Sequence, residues 1–364
     1  MATTGQQEEE LSLQEIYREI NICSNLHGFM ENEKEIVIVG ERFGRSRLYD
    51  IEKFVTEIIK TKLLAFEIIE IDEKEFISKE LPLRKFLNFY DNFHEEYSEE
   101  KIFSPNVTLF FNASKKINPT EVTLYDSESR RSGKINVESA IIFNLIINEI
   151  RTNSSSQEFK KKVYAREYGF KRNFDSAKKY VDDLFSKNAR LLVLRLDLGF
   201  ITSTISAEKK IELKEAQNYL KKFLNNKRSK SIFDDSVGYI WKMEHGIDKG
   251  YHFHLFFFFD GSKRQKDGHI AQLIGEFWKT VTKGVGCFYN CNYQKKRYEK
   301  FGLGIGMINH GDTAMRENIL KILHYFFKKE QYVKQKLRKK DRTFGKGELQ
   351  KSLFKKRGRH RIQQ

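Results

Sequence analysis

Cysteine, proline and long apolar runs are what this sequence has least of. Cys23, Cys287 and Cys291 are its three cysteines, too few and too odd in number for a disulfide framework, so a reduced protein is expected. The three prolines, Pro82, Pro105 and Pro119, all fall in the first third, which leaves the remainder open to long uninterrupted elements. The longest apolar runs, AIIFNLII (140–147) and LFFFF (255–259), fall far short of the roughly 20 residues that a spanning helix needs. The opening MATTGQQEEELSLQ is polar and acidic, the reverse of a signal peptide. The expectation is a cytoplasmic protein with no membrane partner.

Aromatic residues and positive charge are abundant instead. With 31 Phe and 16 Tyr in 364 residues, the chain can bury a sizeable core and form two or three domains. A net charge of +16 points to a polyanionic partner, and the lack of membrane segments favours nucleic acid. The charge is uneven. From Val333 to Gln364 there are 13 Lys or Arg against two acids, a net of +11. The stretch KQKLRKKDRTFGKG, with Lys336, Arg338, Lys339, Lys340 and Arg342, reads as an arm along phosphates. A solvated tail is the alternative for the last ten residues.

Along the chain, residues 1–150 mix helix and strand signals and are read as a mixed α/β domain of unknown role. LSLQEIYREINICSNLHGF repeats apolar residues at helical spacing, and KEIVIVGERF holds a short β-branched run. NVTLFFNAS and EVTLYDS alternate like strands, while NVESAIIFNLIINEI is a helix with Asn136 or Ser139 as its cap. VGERFG is a lone glycine pair that fails the phosphate-loop pattern and reads as a turn. The serine cluster RTNSSSQ (151–157) is the best boundary. A linker with helices then covers 151–187, with one helix starting near Asp175 or Ser176.

Residues 188–338 read as the second domain, and 339–364 as its basic tail. RLLVLRLDLGF (190–200) is a strand with Leu192, Leu194, Leu196 and Leu198 on one face and Arg195 and Asp197 on the other. A helix is expected over about 207–226. VGYIWKMEH and YHFHLFFFF follow, joined by the five-residue GIDKG, and form a hairpin. A helix at IAQLIGEFWKTV, strands at CFYNCNY and GIGMINH, and a final helix from about 313 to 338 complete the order. The sum is an α+β fold, an antiparallel sheet with helices packed mainly on one face.

Within the hairpin, His252 and His254 alternate with Tyr251, Phe253 and Leu255, so both imidazoles share one face. If His245 and Tyr251 flank the loop as partners, Glu244 lies opposite His252 and Lys242 opposite His254. Cross-strand partners stand about 5 Å apart at Cβ. Two imidazoles and one carboxylate can hold Mg²⁺ or Mn²⁺ for phosphate chemistry, though nitrogen ligands alone favour Zn²⁺. The bland alternative is a pair of half-buried histidines on a solvated sheet face.

The last helix adds a second feature. Met315, Ile319, Ile322, Phe326, Val333 and Leu337 form an apolar stripe, with Lys321, Tyr325, Lys328 and Tyr332 along its flank. Tyr325 and Lys328 are neighbours at i and i+3. A phenol beside a cation is a candidate nucleophile, because a nearby positive charge favours its deprotonated form. A tyrosine snorkelling at the edge of an amphipathic helix is the common alternative.

H-F-H on a hairpin strand, followed by Tyr-x-x-Lys on a helix, resembles the HUH endonucleases that initiate rolling-circle replication. More narrowly, RLDL, WKMEHGIDKGYHFHLFFFFDGS, GEFWKTVTKG, GIGMIN and YFFKKEQY…RTFGKG resemble the filamentous-phage (inovirus) gene II-type replication proteins. The resemblance covers roughly residues 185 to 347. It implies a metal-dependent nickase in a bacterial cell. His252, His254 and Glu244 would hold the ion, and Tyr325 would form a 5′-phosphotyrosyl link, leaving a 3′-OH for a host polymerase working with a helicase. By the same resemblance Lys328 would stabilise the developing charge, and Asp197 beside Arg195 would orient a histidine or meet the metal from behind. Tyr332 would be a second nucleophile or a DNA contact. The DNA would be an origin, single-stranded or in a supercoiled duplex.

Two other readings compete. A DNA-binding regulator could keep this fold and cut nothing, yet it need not retain all of His252, His254, Glu244, Tyr325 and Lys328. A zinc module on Cys287 and Cys291 lacks a second ligand pair at metal spacing, and those thiols read as inert.

Overall fold

The structure is a computed structural model. It describes residues 28–31, 34–37 and 47–349, except 94–96, 98–100, 121–122, 126, 202–210, 247–249, 299–302, 330–332 and 336–341. The predicted helix over 11–29 lies outside the described residues save Gly28 and Phe29, and so does the VGERFG turn. Two compact units emerge, one from Met1–Phe174 with Leu323–Asp341, the other from Asp175–Ile322 with Arg342–Gln364.

The first unit opens with a two-stranded ladder, β1 (Gly28–Glu31) and β2 (Lys34–Val37). Next come α1 (Arg47–Lys60), the hairpin β3 (Phe66–Ile71) and β4 (Lys74–Glu80), α2 (Leu87–Phe93) and β5 (Lys101–Phe103). Four helices follow: α3 (Pro105–Ile117), α4 (Ser127–Ser132), α5 (Val137–Ser154) and α6 (Gln157–Lys187). Its core is aromatic, with Phe54 stacked on Phe143 at 5.4 Å and tilted against Phe86 at 4.9 Å. Asn144 pins α5 to β3, accepting from the Ala65 and Phe66 amides and donating to the Phe66 carbonyl.

Three expectations for this region are corrected. NVTLFFNAS is the helix α3, because Pro105 sits at its first position and the Ser104 side chain caps it by accepting from the Val107 amide. Val107, Phe110, Phe111 and Ser114 then bury at helical spacing, a period that outweighs local β propensity. The described part of EVTLYDS forms bends leading into α4, with no strand. Asn136 does cap α5, its side chain accepting from the Ser139 amide at 2.7 Å. The serine cluster breaks α5 from α6, but α6 continues unbroken through Asp175 and Ser176. The units divide between Phe174 and Asp175.

The second unit is built on β6 (Arg190–Phe200), α7 (Leu213–Asn226), β7 (Ser236–Gly246), β8 (Gly250–Asp260), α8 (Asp267–Val281), β9 (Gly286–Asn290), α9 (Lys295–Tyr298), β10 (Gly306–Asn309) and α10 (Thr313–Lys329). Two short strands end the description, β11 (Val333–Gln335) and β12 (Phe344–Lys346). The sheet runs β10-β6-β8-β7-β12, with β9 also on β6, and each of these pairings is antiparallel. The fold is mixed α and β around antiparallel sheets, as the sequence predicts. Register agrees too: His245 faces Tyr251, Glu244 faces His252 and Lys242 faces His254.

One sheet face is apolar and covered by α7 and α8, through Phe223 against Phe257 and Trp278 against Phe253. The end of one helix also reaches the opposite face. On the other side, a Cβ at Gly238 would meet the Tyr180 hydroxyl at 2.7 Å and Leu184 at 2.9 Å, so glycine lets the end of α6 lie directly on β7. The final helix is also shorter than predicted. It stops at Lys329, and Val333 enters β11, which pairs with β5. Val333 therefore leaves the helical stripe, Leu337 lies outside the described residues, and the buried residues of α10 are Ile319, Leu323, Phe326 and Phe327.

Candidate metal centre

The polar end of the second sheet face gathers six charged or imidazole side chains on three adjacent strands. Strand β8 supplies His252 and His254, β7 supplies Lys242 and Glu244, and β6 supplies Arg195 and Asp197. Strand alternation alone puts them together, since cross-strand partners share a face. Five of the six are buried, His254 at 3% exposure and Lys242 at only 1%, and Glu244 is partly buried. Local turn chemistry helps. Gly250 takes a φ of +60°, a left-handed conformation suited to glycine, and so starts β8 directly out of the turn.

Glu244, His252 and His254 offer three ligand atoms that all lie within 4.8 Å of one another. The Glu244 Oε2 is 3.6 Å from His252 Nε2 and 3.5 Å from His254 Nε2. Two donors bound to one ion at about 2.1 Å stand about 3.0–3.5 Å apart, so these separations suit a shared cation with little rearrangement. Among the described residues this is the group of His, Cys, Asp and Glu side chains that could hold a metal ion.

What lies behind the rings decides their tautomers. His252 Nδ1 stands 3.2 Å from the Gly250 carbonyl, and His254 Nδ1 stands 2.7 Å from Asp197 Oδ1. A carbonyl and a carboxylate only accept, so each Nδ1 carries the hydrogen. In the neutral ring the lone pair then sits on Nε2, facing Glu244. Asp197 is steadied in turn by Arg195, with Nη2 3.6 Å from Oδ2. Burial alone would depress the pKa of His254, but Asp197 and Glu244 outweigh it and hold it above the usual histidine range. The same two negative charges favour a dication at Nε2.

The other predicted residues fall as follows. Tyr325 and Lys328 lie one helical turn apart in α10, with their side chains outside the described residues. They belong to the first compact unit, whereas the three ligands, Asp197 and Arg195 belong to the second. Tyr332, Lys336, Arg338, Lys339 and Lys340 lie outside the described residues. The described helix α10 ends at Lys329, so the expected two-turn separation of Tyr325 and Tyr332 lies outside the described residues. Arg342 is exposed, just before β12. Cys287 and Cys291 are buried and form no disulfide, and burial pushes the Cys287 thiol far up, which suits neither metal binding nor nucleophilic chemistry.

Two contributors escaped the sequence reading. The Gly250 carbonyl behind His252 was signalled only by the glycine two residues before the first histidine. Lys242 was paired with His254 in register, yet its near-complete burial on the metal face had no sequence signal.

The pattern of the YagK/YfjJ C-terminal domain matches residues 153–347, more than half of the chain. The chain belongs to this family. No curated protein and no solved structure matches it. The YagK/YfjJ domain contains the whole second sheet and every residue of the candidate metal centre. Among the described residues, no helix is long and apolar enough to cross a membrane.

Proposed function

We propose that this YagK/YfjJ protein is a metal-dependent endonuclease that nicks and rejoins one strand of DNA, in the manner of the HUH replication initiators. The observation that carries the proposal is the Glu244–His252–His254 donor set, with both Nε2 atoms turned to one carboxylate oxygen and both Nδ1 atoms held from behind. Mg²⁺ or Mn²⁺ bound there would polarise the scissile phosphate as a Lewis acid. Charge supports a phosphodiester substrate. Arg195 and Lys242 balance Asp197 and Glu244 on this face, so a dication adds two uncompensated charges. A phosphodiester and a phenolate carry two of the opposite sign.

Tyr325 is the proposed nucleophile. The phenol gives up its proton to solvent, its Oη forms a bond to phosphorus, the P–O3′ bond breaks, and the leaving oxygen takes a proton from solvent to become a free 3′-OH. The downstream strand stays on the protein as a 5′-phosphotyrosine, from which a host polymerase could extend the 3′ end. Attack by a 3′-OH reverses the balance and rejoins the strand. Lys328, one turn from Tyr325, would stabilise charge on the phenol oxygen or the phosphate. Asp197 holds His254 in the ligating orientation.

Supercoiled plasmid carrying the protein's own locus, incubated with Mn²⁺ or Mg²⁺, is expected to become open circular. His252→Ala and His254→Ala should abolish that conversion while leaving plasmid binding within about twofold, because phosphate contacts dominate affinity. Nicking at the normal rate by either variant, or by the wild type in chelator, overturns the proposal.

A further inference from the structure

The first half of α6 carries a surface that the metal chemistry leaves unexplained. Tyr164 is 68% exposed and Tyr168 is 55% exposed, and their rings lie 6.2 Å apart and nearly parallel, at 20°. At about 100° per residue, Lys160, Lys161, Lys171 and Arg172 fall within about 80° of Tyr164 around the helix axis, on the same outer arc. All four are exposed. The inner arc holds Phe159, Val163 and Phe170, which are partly buried. Tyr164 and Tyr168 thus sit on the side of the helix turned from its packed face.

This arrangement does not follow from folding. Two large aromatics lying open on a helix contribute little burial, and single polar residues would serve the helix as well. Nor are the cations engaged in surface ion pairs. Among the described residues no carboxylate lies within ion-pair distance of the four. The nearby Lys162–Glu158 pair lies off the arc. Glu167 and Asp175 also lie on this arc, so the four cations leave it a net charge of +2, and a cationic surface with open aromatic rings suits a partner that is both polyanionic and flat-faced.

We infer that this arc is a binding surface for single-stranded DNA. Tyr164 and Tyr168 stack on unpaired bases, and Lys160, Lys161, Lys171 and Arg172 take the phosphates. From Lys160 to Arg172 the helix rises about 18 Å, a span that fits about three extended nucleotides. Base–aromatic stacking needs bases freed from a duplex, and it tolerates any sequence because every base has a π-face. The inference rests on the proposed DNA chemistry only for its choice of DNA over RNA. The surface itself is argued from exposure and charge, apart from the metal centre.

The test is fluorescence anisotropy of the full-length protein with a labelled 20-mer of thymidines, in chelator, over a range of salt. Changing Tyr164 and Tyr168 together to Ala should weaken binding by at least about tenfold. The double change to Phe should stay within about twofold of wild type, since it keeps the rings. Changing Lys160, Lys161, Lys171 and Arg172 to Ser should flatten the salt slope by about 3, at about 0.7 per lost contact to a single strand. Unchanged affinity in the double Ala variant overturns the inference, as does an unchanged salt slope. So does an equal loss of affinity for duplex, or tighter binding to a uridine 20-mer or to anionic vesicles. Because the assay is run in chelator and reads no cleavage, a failure of nicking leaves the result intact.

Discussion

His254 stands between two carboxylates, with Asp197 behind its Nδ1 and Glu244 before its Nε2. Half of that arrangement could be read in the sequence. H-x-H puts two imidazoles on one face, and counting back through a five-residue loop puts Glu244 beside them. Asp197 was only a weak suspect, because its approach to His254 depends on which strand lies next to β8, and the two residues are 57 positions apart. Asp197→Asn tests its role. The amide can no longer fix the Nδ1–H tautomer by acting purely as an acceptor, so Mn²⁺ affinity should fall about 10–100-fold with the fold intact. Isothermal titration would measure this. An unchanged affinity would mean that Asp197 does not position the ring.

At the scale of elements, legibility followed the locality of the cause. The β7–β8 hairpin was readable because one short loop sets its register. Strand β6 was readable from its alternation. Helix α3 was misread because local β propensity hid the Ser-Pro start and the helical spacing of Val107, Phe110 and Phe111. The end of α10 was misread because β11 is stabilised by β5, over two hundred residues earlier in the chain. Glu52, in α1, carries no sequence signal of its burial. Burial raises its pKa to about 7, more than Ser104, Asn106 and Arg166 can lower it. The folded state thus binds a proton that the unfolded state has already released above about pH 4.5. Stability contributed at low pH is lost as pH rises towards 7, by on the order of 3 kcal/mol. Glu52→Gln should therefore leave stability unchanged at pH 4 and raise it at pH 8. Urea unfolding at both values checks this, and an equal effect at the two pH values would contradict it.

Over the whole molecule, the net charge of +16 is what leads to the proposal of a nucleic-acid partner. The family match begins at residue 153, within the serine cluster, and the compact units divide further along, inside α6 and α10. Helices that run through a boundary leave no polar linker to read. The basic tail also needs a different limit. Lys346 lies in β12, and the Gly347 amide donates to the Tyr239 carbonyl, so deleting the whole of 339–364 would damage the sheet. Deleting 350–364 instead removes six cations, Lys351, Lys355, Lys356, Arg357, Arg359 and Arg361. If the tail lies along the duplex, the salt slope of duplex binding should fall by up to about 5, at about 0.9 per phosphate contact. An unchanged slope would show that the tail does not touch DNA.

The central claim is a covalent one, that Tyr325 carries the DNA when the Glu244–His252–His254 centre holds its metal. A 3′-labelled single-stranded oligonucleotide from the protein's own locus, cleaved in Mn²⁺ and digested with trypsin, tests it directly. ILHYFFK (322–328) contains Tyr325 and EQYVK (330–334) contains Tyr332, so mass spectrometry separates the two tyrosines. The account predicts an adduct on ILHYFFK that disappears in Tyr325→Phe, in His254→Ala and in chelator, and that survives in Tyr332→Phe. An adduct on EQYVK, or one that persists in Tyr325→Phe, would contradict it.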